Sequence, residues 1–347
     1  MAYTMDKTAV VILNWNGCDM LRTFLPSVVR FSEADGAVVY VADNGSTDGS
    51  VDMLRTHFPT VRLIELTQNY GFAEGYNRAL QQVEAEYVVL LNSDVEVTEH
   101  WLQPLEAYLD THAEVAACQP KIRSWHRRTQ FEYAGAAGGF IDRWGYPFCR
   151  GRVMAVVEED HGQYDEVMPV FWATGAALFI RRADYLQAGG LDARFFAHME
   201  EIDLCWRLRA QGRLLVCVPQ SVVYHVGGAT LKKESPRKTF LNFRNNLLML
   251  YKNLPDYELK TVMRVRCVLD YVAALSFLLQ GHVANARAVY QARCSYASLR
   301  SGYAESRQAN LKRTTHPHIP ERFSGSILVQ YYLRGKKLFS SLPHFHK

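Results

Sequence analysis

Several polar groups in this 347-residue chain have the types and settings for chemistry. Asn92-Ser93-Asp94 ends the unbroken apolar run Tyr87–Leu91. A buried strand of an open α/β sheet delivers functional side chains at its carboxyl end, and Asp94 sits at such an end. Turn formation accounts for the same triplet, because Asn, Ser and Asp all stabilise turns through side-chain to backbone hydrogen bonds. Asn14 and Asn16 follow one earlier apolar run and Asp43 another. Glu200 and Glu201 open a helical pattern, where acids also suit the helix dipole. His225 ends a short β-branched run; a lone histidine there is more often packed or solvated than a ligand.

The elements that must position these groups alternate. Thr8–Leu13 reads as a first strand, and the helical pattern from Met20 to Phe31 is interrupted by Pro26, which predicts a break or kink. Ala37–Ala42 is a second strand, closing on the loop Asp43–Ser50, with Ser46 or Asp48 as helix N-cap. Val61–Leu66 is a third, and Asn69-Tyr70-Gly71-Phe72 turns into a helix carrying Ala73, Tyr76, Asn77 and Leu80. The run into Leu91 is the fourth. This spacing implies right-handed βαβ crossovers and a mainly parallel sheet flanked by helices. In such a sheet Asn14, Asn16, Asp43, Asn44, Asn92 and Asp94 share one edge; three independent turns could produce them by chance, but their coincidence there favours a functional edge.

No Gly-x-Gly-x-x-Gly follows the first strand and no Gly-x-x-x-x-Gly-Lys-Ser/Thr occurs, so a glycine-rich phosphate cradle is not how this chain would hold a nucleotide. A carboxylate with a divalent metal, Mg²⁺ or Mn²⁺, is the common alternative. Val170–Ile180 reads as a strand whose small residues, around Trp172, Thr174 and Gly175, leave room for a ligand or backbone. Between residues 125 and 151 aromatics stand among glycines. They either form a sugar-stacking platform or pin a long loop to the core.

Composition sets outer limits. Seven scattered cysteines without a Cys-x-x-Cys pair point to reduced thiols, not a disulfide framework or zinc site. The expectation is a cytoplasmic protein without a secretory leader, and no apolar run approaches the roughly 20 residues that span a bilayer. The net charge of +4 conceals an asymmetry: residues 1–230 carry 19 basic and 29 acidic side chains, and residues 231–347 carry 20 and 6. A basic second region implies an anionic partner, nucleic acid or phospholipid.

The motifs accumulate in a recognisable order: Val-Ile-Leu-Asn-Trp-Asn-Gly, Val-Ala-Asp-Asn-Gly-Ser-Thr-Asp-Gly-Ser, Asn-Tyr-Gly-Phe-Ala-Glu-Gly-Tyr-Asn, Leu-Asn-Ser-Asp, Glu-Glu-Ile-Asp-Leu-Cys-Trp-Arg and Tyr-His-Val-Gly-Gly. From Val10 to about Thr230 the chain resembles the family 2 glycosyltransferases, inverting enzymes of GT-A fold, and most closely their rhamnosyltransferase-like bacterial branch. The resemblance implies that Asp43 binds the nucleotide base and that Asp94 and His225 bind a metal on the donor pyrophosphate. It also implies that Asn14, Asn16, Asn69, Asn77, Asn92 and Ser93 line the nucleotide-sugar site. Glu200-Glu201 falls on the family's Glu-Asp motif, with Glu201 at the position of the catalytic base. Two departures stand out: Asn92-Ser93-Asp94 replaces Asp-x-Asp, leaving one carboxylate for metal, and the base position is Glu instead of Asp.

The implied function is transfer of a sugar, rhamnose among the candidates, from a dTDP- or UDP-linked donor to a lipid-linked saccharide acceptor in cell-surface polysaccharide synthesis. The rivals are a non-catalytic carbohydrate-binding or scaffolding relative and a sugar nucleotidyltransferase. The latter would need a basic glycine-rich loop after strand one, where Asn14-Trp15-Asn16-Gly17 has no basic residue. Residues 1–230 are expected to form the catalytic domain and 231–347 a helical basic region, with helices over Thr239–Asn253 and Val262–Leu279. Arg293, Arg300 and Arg307 recur every seven residues, with Tyr296 and Tyr303 beside them. On one helix they make a basic stripe that suits phospholipid headgroups, placing the protein on the inner face of the cytoplasmic membrane, or an ordinary solvated face. A sugar transferase gives nucleic acid no role.

Overall fold

The computed structural model describes residues 6–227 and 235–343. The chain begins β1 (Asp6–Asn14), α1 (Cys18–Ala34), β2 (Val38–Asp43), α2 (Ser50–His57), β3 (Arg62–Glu65), α3 (Gly71–Leu80) and β4 (Ala85–Leu91). There follow β5 (Val95–Val97), α4 (Gln103–Thr111), β6 (Val115–Ser124), β7 (Gly139–Asp142), β8 (Pro147–Cys149), β9 (Arg152–Val153), β10 (Val156–Val157) and β11 (Met168–Pro169). Next are β12 (Ala177–Arg181), α5 (Arg182–Gln187), α6 (Glu200–Ala210) and β13 (Leu214–His225). The last part holds α7 (Pro236–Asn253), α8 (Asp256–Leu279), α9 (Val283–Leu299), α10 (Ala304–Arg313) and β14 (Arg322–Phe323).

The main sheet runs β11-β13-β6-β12-β4-β1-β2-β3, with β5 paired to β13. β1 lies parallel between β2 and β4, with Asn14 in register with Asp43 and Ile12 with Leu91. β12 runs against both β4 and β6, so its amino end meets the carboxyl end of β4. β13 is parallel to β6 and brings His225 to the same edge. The strands read as unbroken apolar runs because both faces are covered. Val10, Ile12, Val89 and Leu91 face Leu21 and Leu25 of α1 and Leu105 of α4, and the alternate residues Ala9, Val11, Val88 and Leu90 face the layer of Tyr76, Leu80, Leu204 and Leu208.

Several local expectations change. α1 passes through Pro26 without a break. Pro26 and Arg22, whose carbonyl loses its helical donor, lie on the exposed face where water serves instead, while Leu21, Phe24, Leu25 and Val28 hold the buried face. The residue capping α2 is Gly49, not Ser46 or Asp48. Residues 170–176 are not strand; β12 begins only at Ala177. Of the aromatics in 125–151, Phe131, Phe140 and Phe148 are wholly buried and pin the loop, which folds into the second sheet β10-β9-β8-β7-β14.

The expected boundary at residue 230 lies outside the described residues. On either side of it the chain packs as a continuous body. Leu247, Leu248, Met249 and Leu250 of α7 are completely buried, and Lys252 binds Asp192 at 2.7 Å and Asp203 at 2.8 Å. The basic stripe does not form. α9 ends at Leu299, a 3₁₀ turn over Arg300–Tyr303 shifts the register, and α10 starts anew. Arg293 binds Asp270 at 2.6 Å, and buried Arg307 donates to the Leu254 carbonyl at 2.7 Å and pairs with Asp256.

Candidate active site

The order of β2, β1 and β4 places a switch point between β1 and β4, with β2 reached on one side and β4 on the other, and crevices outside strand ends at such points hold ligands. Three groups of side chains meet along this edge. The first ends β1 and β2. Asn14 is buried and donates its amide to Asp43 at 3.0 Å and to the Ser46 hydroxyl at 3.2 Å, and Asp43 also accepts the Ser46 N–H at 2.9 Å. The side-chain Oδ1 of Asn14 is buried without a partner. Asn16, in the left-handed region at φ 50°, accepts the Thr47 N–H at 2.8 Å and donates its own N–H to Ser46 at 2.9 Å. Asp48 accepts the Cys18 N–H at 2.8 Å, which locks the two loops together.

The second group follows β4. Asp94 and His225 are both buried, with Oδ1 and Nε2 3.1 Å apart; Asn92 lies 3.4 Å from the same ring nitrogen. Behind them Glu132 approaches His225 Nδ1 at 3.4 Å. Burial alone would lower the imidazole's pKa, but hydrogen bonds and charge from Asp94 and Glu132 outweigh it and lift the ring to about 10. Burial would likewise raise the two carboxyls, and the His225 partner overrides it, holding both below the usual carboxylate range. The donor set, one carboxylate and one imidazole, fits a hard divalent ion whose remaining positions are filled by phosphate oxygens and water. Among the described residues no cluster of three or more His, Cys, Asp or Glu side chains makes a protein-only cage. Glu132 fits the outer partner that fixes a ligating ring's orientation.

The third group is built where β12 meets α6. The Asn92 N–H donates to the Ala176 carbonyl at 3.0 Å, tying the residue-174 loop to the second group. A methyl at Gly175 would stand 3.6 Å from Glu201 Cβ and 3.7 Å from Phe72, so Gly175, Phe72 and Glu201 converge. Both glutamates keep one carboxyl oxygen buried without a partner. Burial raises both carboxyls, and the neighbouring Glu201 and Asp203 charges add to the rise at Glu200. A carboxyl group lifted in this way is a stronger base when ionised. The loop before α6 is strained: Phe196, His198 and Met199 all adopt positive φ. It is held by Asn245 of α7, whose amide donates to the carbonyls of Phe195 at 3.0 Å, Ala197 at 2.8 Å and His198 at 2.8 Å.

Some expected residues have other work. Asn77 donates to the Leu191 carbonyl, accepts the Leu191 N–H and accepts the Tyr185 hydroxyl, so its amide pins residues 185–191 to α3. Asn69 accepts from Asn44 and from the Gly71 N–H, shaping the turn into α3. Trp172 is buried with its indole on the Phe140 carbonyl at 2.9 Å, and Thr174 donates to Ala134 at 3.0 Å. Only Gly175 of that trio faces Glu201. Ser93 stays partly open beside Gly17. Sequence reasoning missed Glu132 and Asn245, which act through partners 93 and about 50 residues away.

Comparison with known proteins matches residues 9–155 to the family described as glycosyl transferase family 2. The chain is 28% identical over 235 residues, 63% of this chain and 76% of the relative, to the N-acetylglucosaminyl-diphospho-decaprenol L-rhamnosyltransferase of Mycobacterium tuberculosis. Its fold is similar to that of GalNAc-T7 with UDP, GalNAc and Mn²⁺, with a TM-score of 0.56 and 16% identity over 74% of this chain and 49% of that one. The present chain thus spans about half of that protein. The fold is also similar to the mannosyltransferase PcManGT from Pyrobaculum calidifontis in complex with GDP-Man and Mn²⁺, with a TM-score of 0.52 and 14% identity over 90% and 85% of the two chains. The sheet and its flanking helices are those of GT-A glycosyltransferases.

Proposed function

We propose that this chain, whose residues 9–155 match the family described as glycosyl transferase family 2, is an inverting enzyme that moves a hexosyl or rhamnosyl group from a dTDP- or UDP-sugar to a lipid-linked saccharide in cell-surface glycan synthesis. The observation that carries this reading is the meeting of Asp43, the Asp94–His225 pair and Glu201 at one sheet edge. The relative from Mycobacterium tuberculosis, named for a decaprenol-linked acceptor and a rhamnosyl product, supports the choice of sugar and acceptor class.

In this mechanism Asp43, braced by Asn14 and Ser46, accepts from the imide of uracil or thymine. Asp94 and His225 would hold Mg²⁺ or Mn²⁺, which when bound would offset the charge of the departing nucleoside diphosphate. Glu201 takes the proton of the acceptor hydroxyl as its oxygen bonds to the anomeric carbon and the bond from that carbon to the diphosphate breaks. Gly175 keeps the acceptor side open next to Glu201, and alignment of the two substrates supplies much of the remaining rate.

A thermal-shift panel of dTDP-, UDP- and GDP-sugars with Mn²⁺ or Mg²⁺ tests the donor half. Metal-dependent stabilisation by a dTDP- or UDP-sugar is expected. Stabilisation by none of them, or by GDP-sugars equally, would overturn the reading.

A further inference from the structure

We propose that the end of the α8–α9 hairpin is a docking face for an anionic lipid bilayer. The proposal deepens the reading of a lipid-linked acceptor and rests on it for its purpose. Arg293 of α9 reaches Asp270 of α8, residues 12 and 11 positions from the turn at Gly281, so the helices lie antiparallel. The exposed side of α8 forms one stripe at helical spacing, Val268, Tyr271, Val272, Leu275, Leu278 and Leu279, and Leu279 is 80% exposed. Val283 continues it across the turn at 62% exposure. A stripe of this size on a soluble surface marks an interface.

Its surroundings say what covers it. Toward the body of the protein the same side of α8 changes from apolar to basic at Arg264 and Lys260, and on α9 it changes at Arg287, all three exposed. None of the three forms an ion pair among the described residues. Between Leu259 and Ala304 the sole acid is Asp270, which is buried and taken up by Arg266 and Arg293. An apolar tip with a basic collar and no exposed acid is complementary to acyl chains beneath anionic headgroups. The apolar segment from Val268 to Leu279 extends only about 18 Å as a helix, too short to cross a hydrocarbon core of about 30 Å. No helix among the described residues is long and apolar enough to cross. The docking element is therefore this apolar face, not the arginine stripe the sequence suggested.

The test is flotation of the full chain with vesicles of phosphatidylglycerol and phosphatidylcholine, against phosphatidylcholine alone, over a salt series. Leu275→Glu with Leu279→Glu changes two exposed side chains and leaves the core intact. Flotation on anionic vesicles is expected, abolished by this pair at every salt concentration. Reversing Lys260, Arg264 and Arg287 to Glu should weaken binding by roughly a hundredfold at low salt and much less at high salt. No flotation at low salt, flotation unaffected by the leucine pair, or a solution dimer that the leucine pair dissociates without lipid would each overturn the proposal. Nucleotide-sugar stabilisation measured on the same proteins should not change with the leucine pair. Its absence in the unmodified chain would count against the proposed function and not against docking.

Discussion

Asn245 donates its side-chain amide to the carbonyl of His198 at 2.8 Å, so a helix beyond residue 235 sets the entry to the helix that carries Glu201. The loop it holds contains three residues in the left-handed region, and such strain persists only where surrounding contacts over-determine it. Asn245→Leu should therefore lower kcat by roughly tenfold to a hundredfold, as displacement of a reacting group by about 1 Å does. The Kd for donor, read by calorimetry, should move little. A proportional loss of donor affinity would show that Asn245 supports the fold generally.

Glu201→Gln removes the proposed base while preserving shape, and a drop in transfer of about 10²- to 10⁴-fold is expected with donor affinity retained. Glu200→Gln is the control. If it is the dead variant and Glu201→Gln is active, the roles of the two glutamates are exchanged.

Asp94→Asn should abolish the metal-dependent part of donor binding, measured as the difference in thermal shift with and without Mn²⁺. His225→Ala should weaken it less, because the carboxylate and the pyrophosphate remain as ligands. Equal stabilisation of wild type and Asp94→Asn by donor plus metal would remove Asp94 from the site.

How much of this could be read from the sequence depends on where each residue's partners lie. Asp43 and Asp94 could be placed because the strand before each is an apolar run that ends abruptly, and parallel neighbours bring such ends to one edge. Glu201 was legible only through the resemblance, since its own segment looks like any acidic first turn. The holding roles of Asn77 and Trp172 could not be read because their partners, Leu191 and Phe140, are remote in sequence. The arginine heptad failed for a local reason: a single 3₁₀ turn over Arg300–Tyr303 moves Arg307 off the face that carries Arg293.

Lys252 is the buried cation shared by Asp192 and Asp203, and removing one partner of a buried charge cluster costs about 3–5 kcal/mol. Lys252→Met should lower the unfolding midpoint in urea accordingly. A change within experimental scatter would mean that Arg207 and Asn253 alone compensate Asp203.

His198 supplies a pH dependence. Burial, helped by the charge of Lys238, lowers its pKa to about 4. Above about pH 6.5 the ring is neutral whether the chain is folded or unfolded, and it contributes nothing. As pH falls from 6.5 to 4 the unfolded chain takes up a proton that the folded one refuses, so stability declines by about 3 kcal/mol and then levels. Glu200 and Glu201, raised by burial, act with the opposite sign, so the comparison of wild type with His198→Phe isolates the histidine. Parallel urea midpoints for the two proteins across this range would refute the assignment.

The second sheet has a consequence for how the protein is made. Its strand β7 is paired on one side by β8, a few residues on, but on the other by β14, with Ile141 opposite Arg322 and Asp142 opposite Phe323. Asp142 also accepts the Ile327 N–H at 2.9 Å, and Glu158 the Phe339 N–H at 2.9 Å. During synthesis from the amino end, this sheet emerges with a bare edge that stays open while about 180 further residues are translated. An edge left open on that scale invites pairing with other chains. Slowing the ribosome between β7 and β14 should therefore raise aggregation of the nascent chain, whereas slowing it before β7 should not.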